Sequence, residues 1–270
     1  MSISFEGKVA IVTGAGNGLG RSHALALAER GAKVVVNDLG GARDGTGASS
    51  DAAMEVVGII EAAGGEAFAH GANVSNFDEV ENMVAQAMAK WGRVDILINN
   101  TGGPPPTSAA NQSIELWQSN FNHLVLLLMK VTDRVLPQMK AKAWGRIITS
   151  TSSGMISPIP GLAISNTLRA AIMGWSKTLA SEVAKDGVTV NIVLPGRIAT
   201  DRLHELDQIR AQKESKTVAE ISARLLAAIP IGRYGDPQEY AAAVTFLASQ
   251  QASYITGATL RIDGGSYAGH

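Results

Sequence analysis

Cysteine is absent from this chain of 270 residues. Its absence excludes disulfides, thiolate metal sites and a cysteine nucleophile. An excess of either charge is also missing: 23 Lys and Arg stand against 24 Asp and Glu, for a formal net charge of −1. No tail or patch of one sign appears, so neither nucleic acid nor an anionic membrane surface is expected as a partner. Long apolar runs are missing too. The longest, Leu124-Val125-Leu126-Leu127-Leu128-Met129, is far shorter than the ~20 residues of a membrane span. The first eight residues carry no basic stretch followed by an apolar one, so no signal segment is expected and the chain reads as cytoplasmic. No repeat, low-complexity linker or charge block marks a domain boundary. What the chain does have is 46% hydrophobic residues, which at this length suits one large core.

Short apolar runs alternate with helically spaced stretches from end to end. Val9-Ala10-Ile11-Val12, Val34-Val35-Val36, residues 66–70, Val94-Asp95-Ile96-Leu97-Ile98, residues 146–149, residues 188–194 and Thr259-Leu260-Arg261-Ile262 predict strands. Helices are expected over residues 18–30, 52–63, 78–91, 114–142 (bent near Pro137), 164–184 and 236–248, the last capped by Asp236 with Pro237 behind it. Residues 204–228 form a polar amphipathic stretch. Repeated βα units with right-handed crossovers imply a single α/β domain over residues 1–270. Its fold class is a doubly wound parallel sheet, a Rossmann-type three-layer αβα arrangement. The two long helices carry apolar residues on more than one side: Leu126, Leu127 and Leu128 on one, Leu168, Ile172, Trp175 and Leu179 on the other. A homodimer or homotetramer and plain core burial both account for that excess.

The first strand runs into Thr13-Gly14-Ala15-Gly16-Asn17-Gly18-Leu19-Gly20, and a helix follows at once. Glycines permit a tight turn and let backbone approach a diphosphate, and the helix supplies N–H donors and the positive end of its dipole. Asp38 closes the second strand, close to where an acidic residue about 20 positions past the turn grips the ribose 2′-OH of NAD. A 2′-phosphate there meets like charge, so NAD is the expected cofactor. No Arg or Lys occupies the turn; Arg43, in the Gly- and Ser-rich stretch 40–50, is a cation that the loop could bring near. The plain alternatives are a structural βα turn and a loop-capping acid. No metal is expected.

With these residues in hand, the chain resembles the short-chain dehydrogenase/reductases over nearly its whole length. The resemblance rests on the Thr13–Gly20 turn, Asn99-Asn100-Thr101-Gly102, Ser152, Asn191, Pro195-Gly196-Arg197-Ile198-Ala199-Thr200 and Asp263-Gly264-Gly265. It implies that Gly14, Asn17, Gly18 and Leu19 hold the diphosphate, and that Asn73 and Val74 flank the adenine. It also implies that Asn100, Thr101 and Gly102 line the ribose, while Pro195, Gly196, Ile198, Ala199 and Thr200 hold the nicotinamide carboxamide. The stretch from about 200 to 228 becomes a lid over a small alcohol or carbonyl substrate. Residues 1 to about 100 resemble the hydroxyacyl-CoA dehydrogenase units of multifunctional β-oxidation enzymes. From Gly102 on, the chain resembles divergent β-ketoacyl carrier-protein reductases, so a hybrid joined near residues 99–103 is one expectation.

At the reacting centre the resemblance breaks. The family uses a tyrosine, a lysine one helical turn on, a serine and an asparagine. The serine position is Ser152. The tyrosine position, checked against Gly174-Trp175-Ser176-Lys177, falls on Ser165, the lysine position on Arg169 and the asparagine position on Leu124. A serine hydroxyl has no useful acidity near neutral pH without a neighbouring base, and arginine stays charged and relays no proton. It still donates hydrogen bonds to a ribose. His123, Asn120, Asn122, His204, Tyr234 and Tyr254 all read better as surface or loop residues than as substitutes. A water held by Ser152 and Ser165 remains. Two functions follow: an NAD(H)-dependent oxidoreductase with Ser152, Ser165 and Arg169 at an atypical site, or a catalytically impaired NAD-binding scaffold or sensor.

Overall fold

The computed structural model describes residues 2–40 and 51–269; Arg43 lies outside the described residues. In chain order, β1 (Val9–Val12), α1 (Gly18–Ala28), β2 (Lys33–Asn37), α2 (Asp51–Ala62), β3 (Ala67–His70) and α3 (Phe77–Trp91) build the first half. Then come β4 (Ile96–Asn100), α4 (Ile114–Phe121), α5 (Leu127–Ala141), β5 (Gly145–Ser150), α6 (Ala163–Val183) and β6 (Val188–Pro195). The chain closes with α7 (Asp201–Glu214), α8 (Val218–Ala227), α9 (Pro237–Ala248) and β7 (Thr259–Ile262). The strands form one parallel sheet in the order β3-β2-β1-β4-β5-β6-β7. The order reverses between β1 and β4, and open α/β sheets bind ligands at the carboxyl ends of such strands.

The all-apolar strands follow from burial on both faces. Val9 and Ile11 of β1 point into a core with Met83 of α3, Val131 of α5 and Ile172 of α6. Ala10 and Val12 point into a second core with Leu27 of α1, Val56 of α2 and Val244 of α9. The sheet thus lies between two helical layers, as the alternating pattern implies. Leu127, Leu128, Leu168 and Ile172 are buried within the single chain, and Trp175 and Leu179 pack partly buried against the same core.

One expectation needs correction and another gains detail. The helix over 114–142 is not one rod bent near Pro137. A π-helical turn over Asn122–Leu126 separates α4 from α5, and α5 continues through the exposed Pro137 to Ala141. The extra residue in that turn changes the helix phase and carries Leu124 and Val125 into the core. The stretch 204–228 is two helices. Ser215, with φ of +52°, ends α7, and Thr217 with Glu220 makes a capping box that starts α8.

Candidate active site and cofactor cradle

Backbone crowding builds the turn after β1. Thr13 Oγ1 accepts from the Asn100 N–H at 2.9 Å and donates to the Asn100 carbonyl at 3.0 Å. Asn100 Nδ2 donates to the Gly14 carbonyl at 3.1 Å. Gly14 has φ of +56°, and a Cβ on it would lie 2.6 Å from the Asn100 carbonyl oxygen. A Cβ on Gly20 would strike the Gly14 carbonyl, so α1 packs directly on the turn. Asn17 is the N-cap of α1 but its side chain makes no capping bond. Among the described residues the amides of the first turn, which includes Gly18 and Leu19, therefore have no side-chain acceptor. A narrow glycine cradle ending in open N–H donors fits a diphosphate.

Asp38 stands at the edge of this cradle. Its Oδ2 accepts from the Gly16 N–H at 2.7 Å and its Oδ1 from the Gly40 N–H at 2.8 Å. Beside it, Asn37 Nδ2 donates to the carbonyls of His70 and Ala72, both at 3.0 Å. That ties the segment carrying Asn73 and Val74 to the end of β2. Asn73 receives the Ser75 N–H on its own side chain at 3.0 Å, and Val74 packs half-buried on the core.

The loop after β6 is equally constrained. The Gly196 N–H donates to the Ile262 carbonyl at 2.9 Å, and a Cβ on Gly196 would lie 2.5 Å from Asp263 Cα. Ile198 is buried and bridges to Gly235, whose carbonyl accepts the Ala199 N–H at 2.8 Å. Thr200 caps α7 through Leu203. Its Cγ2 would lie 3.9 Å from a Cβ on Gly18, so the loop following Pro195 meets the cradle at that point.

The reacting positions gather at the ends of β4, β5 and α6. Ser152 follows β5, and its Oγ accepts the Gly154 N–H at 3.1 Å. Ser165 and Arg169 are both buried, one turn apart on one face of α6. Arg169 Nη2 donates to the carbonyls of Thr101 at 3.4 Å and Gly102 at 3.2 Å. Burial, reinforced by the positive charge of Arg202, pushes the Arg169 pKa down to about 10. Leu124 is 3% exposed in apolar surroundings. The proposed substitutes stand elsewhere. His123 is exposed with Nδ1 2.7 Å from the Ser119 carbonyl, and Asn120 bonds the Leu116 carbonyl of its own helix at 2.8 Å. Asn122 and His204 are exposed, and Tyr254 is fully so.

Several residues escaped the sequence. Asp207 on α7 is buried, pairs with Arg197 and accepts the Tyr234 hydroxyl at 2.8 Å, which fastens α7 to the loop after β6. Tyr240 is fully buried with its hydroxyl 3.0 Å from Ser150 Oγ, and burial pushes that hydroxyl above its ordinary pKa. Arg202 approaches Gly103 from the first turn of α7. Each contact joins distant parts of the chain, and no local motif announces it. No helix among the described residues is long and apolar enough to cross a membrane.

Comparison with known proteins agrees with this geometry. The family described as Enoyl-(Acyl carrier protein) reductase matches residues 14–267. A 3-oxoacyl-acyl-carrier-protein reductase of Synechocystis sp. is 40% identical over 259 residues, covering 96% of each chain. The structure of L-sorbose reductase from Gluconobacter frateurii, complexed with NADPH and L-sorbose, is 28% identical, covers 100% of both chains and superposes with a TM-score of 0.91. A 7α-hydroxysteroid dehydrogenase complexed with NADH and 7-oxo glycochenodeoxycholic acid is 32% identical, covers 97% of this chain and 95% of that one, and gives a TM-score of 0.85. Each match extends to both sides of residues 99–103. The chain belongs to the short-chain dehydrogenase/reductases, a family of NAD(P)-dependent oxidoreductases.

Proposed function

We propose that the chain is an NAD(H)-dependent oxidoreductase acting on an alcohol/carbonyl pair at a site without the family's tyrosine and lysine. The observation that carries this reading is the placement of Ser152 at the carboxyl end of β5, with buried Ser165 and Arg169 on one face of α6. The cofactor, when bound, supplies or accepts the hydride. Gly14, Asn17, Gly18 and Leu19 hold its diphosphate, and Asn73 and Val74 flank the adenine. Asn100, Thr101 and Gly102 line the ribose; Pro195, Gly196, Ile198, Ala199 and Thr200 hold the carboxamide.

Asp38 selects NAD. Its carboxylate is fixed by two backbone amides beside the cradle, and like charge disfavours a 2′-phosphate. Ser152 donates its hydroxyl hydrogen bond to the substrate oxygen. Arg169, even with its pKa lowered to about 10, stays cationic at neutral pH and moves no proton. The proton therefore travels by way of water held between Ser152 and Ser165. A homodimer or homotetramer fits the exposed Phe121 of α4 and Met173 of α6.

A second reading, an NAD-binding scaffold or sensor, is favoured by Leu124 in the apolar core and by Ser165 and Arg169 standing where the family has tyrosine and lysine. One experiment separates the two. NADH and NADPH are titrated by fluorescence, and absorbance is then followed with a panel of alcohols, ketones and 3-oxoacyl thioesters. The oxidoreductase reading expects turnover that Ser152→Ala lowers about a hundredfold. Tight NADH binding with no turnover above that of Ser152→Ala leaves the scaffold.

A further inference from the structure

Two guanidinium groups approach one point on the loop after β4. A Cβ placed on Gly103 would lie 3.3 Å from Arg202 Nη2 and 3.8 Å from Arg169 Nη2, and one on Gly102 would lie 4.0 Å from Arg202 Nη1. Glycine at 103 leaves room for the Arg202 guanidinium, while a Cβ at 102 would be in ordinary contact with it. The arrangement is unfavourable for the buried Arg169. Like charges repel, and Arg202 stands in the first turn of α7, where the helix dipole is already positive. Arg169 is 5% exposed and loses hydration. Its bonds to the Thr101 and Gly102 carbonyls orient the guanidinium without neutralising it. Among the described residues neither arginine forms an ion pair with a carboxylate. Unfavourable charge held in a cleft is characteristic of a ligand site.

We propose that Arg169 and Arg202 bind the carboxylate of the substrate, so that the site takes oxo acids and the corresponding hydroxy acids. The proposal rests on reading the cleft as an oxidoreductase site. Guanidinium groups present paired N–H donors that match a carboxylate. The cofactor's diphosphate is the competing anion, but its cradle lies at Gly16–Leu19, where the nearest lid residue is Thr200. The arginines meet instead at Gly103, three residues past Asn100, the residue that packs against the cradle. Ser165 lies one turn from Arg169 at the same end of α6. Thr107 fixes the loop that carries Gly103 and Pro104-Pro105-Pro106. It receives the Ala163 N–H at 3.2 Å and donates its own N–H to the Gly161 carbonyl at 2.8 Å.

Malonate is the probe, with dimethyl malonate as its uncharged counterpart. Each is titrated calorimetrically into the full chain, with and without NADH. Malonate should bind and the diester should not. Arg202 is exposed, so Arg202→Gln should fold as the wild type does, which circular dichroism checks. It should weaken malonate at least about tenfold and change NADH affinity less than about twofold. Arg202→Lys should recover part of the loss. Arg169→Lys keeps the buried charge and should weaken malonate through loss of the paired donors. Competition between malonate and NADH, with a tenfold loss of NADH affinity in Arg202→Gln, assigns the arginines to the diphosphate and overturns the proposal. So does an absence of malonate binding, or equal binding by wild type and Arg202→Gln. Failure of NADH to bind the wild type defeats the cofactor reading instead, while the malonate comparison still decides the role of the arginines.

Discussion

The Asp38 carboxylate accepts the Gly16 N–H at 2.7 Å, which joins the end of β2 to the glycine turn after β1. A Cβ on Gly16 would lie 2.9 Å from that same carboxylate oxygen, so the pair is close-packed as well as bonded. Asp38→Ser removes the negative charge from the position proposed to face the ribose. NADH affinity should fall and NADPH affinity should rise, each by about tenfold, or ~1.4 kcal/mol. Stability should drop by about 1 kcal/mol as Gly16 loses its charged acceptor. Fluorescence titration with both cofactors reads the first effect and urea unfolding the second. An unchanged NADPH affinity removes Asp38 from cofactor selection.

Ser165 and Arg169 offer a gain-of-function test. Both side chains lie on the buried face of α6, where a tyrosine and a lysine would supply an acid and a cation to tune it. The double variant Ser165→Tyr with Arg169→Lys should raise kcat about a hundredfold, the lower range for a positioned acid. It should also introduce a basic limb in the pH–rate profile that the wild type lacks. Adding Leu124→Asn should bring no further rate and cost about 2 kcal/mol, because the amide would enter an apolar core. Equal rates in wild type and double variant mean that the pocket, not the acid, limits the reaction.

How much of this was legible depends on the range of each interaction. β7 over Thr259–Ile262 and the Asp236–Pro237 start of α9 were both readable, because apolar runs and caps act within a few residues. The glycine turn between β1 and α1 was readable because its glycines stand out in the sequence, and the structure sets Asp38 against it. The π turn at Asn122–Leu126 was not. It inserts a residue without any breaker, whereas Pro137, the visible breaker, sits inside α5. Arg202 and Asp207 were hidden for another reason. Their partners Gly103 and Tyr234 lie far along the chain, and a polar helix does not declare which of its charges turns inward.

Asp207 supplies a test of how α7 and α8 are held. It is 2% exposed and holds Arg197 and the Tyr234 hydroxyl together. Asp207→Asn keeps the shape and removes the charge, at a cost of about 2 kcal/mol, typical of hydrogen bonds to a charged group. The loss should be local. Amide exchange should quicken through α7 and α8 while β4 and β5 stay protected. Global destabilisation with uniform exchange would place Asp207 among ordinary core residues.

His23 gives the fold a pH dependence of its own. It is fully buried on α1 with its ring 5.4 Å from that of Tyr240, and among the described residues neither ring nitrogen has a hydrogen-bond partner. Burial pushes its pKa down to about 3 from an ordinary 6.5. The folded state thus keeps the ring neutral over a range in which the unfolded chain protonates it. Where the unfolded state binds more protons, stability rises with pH. The stability due to neutral His23 is therefore complete above about pH 6.5 and is lost as pH falls toward 3. Between pH 7 and pH 5 the wild type should lose about 2 kcal/mol more than His23→Leu. Other titrating groups are common to both proteins and cancel in the difference. Urea unfolding at the two pH values measures it. Parallel losses would mean that the ring is protonated or solvated in the folded protein.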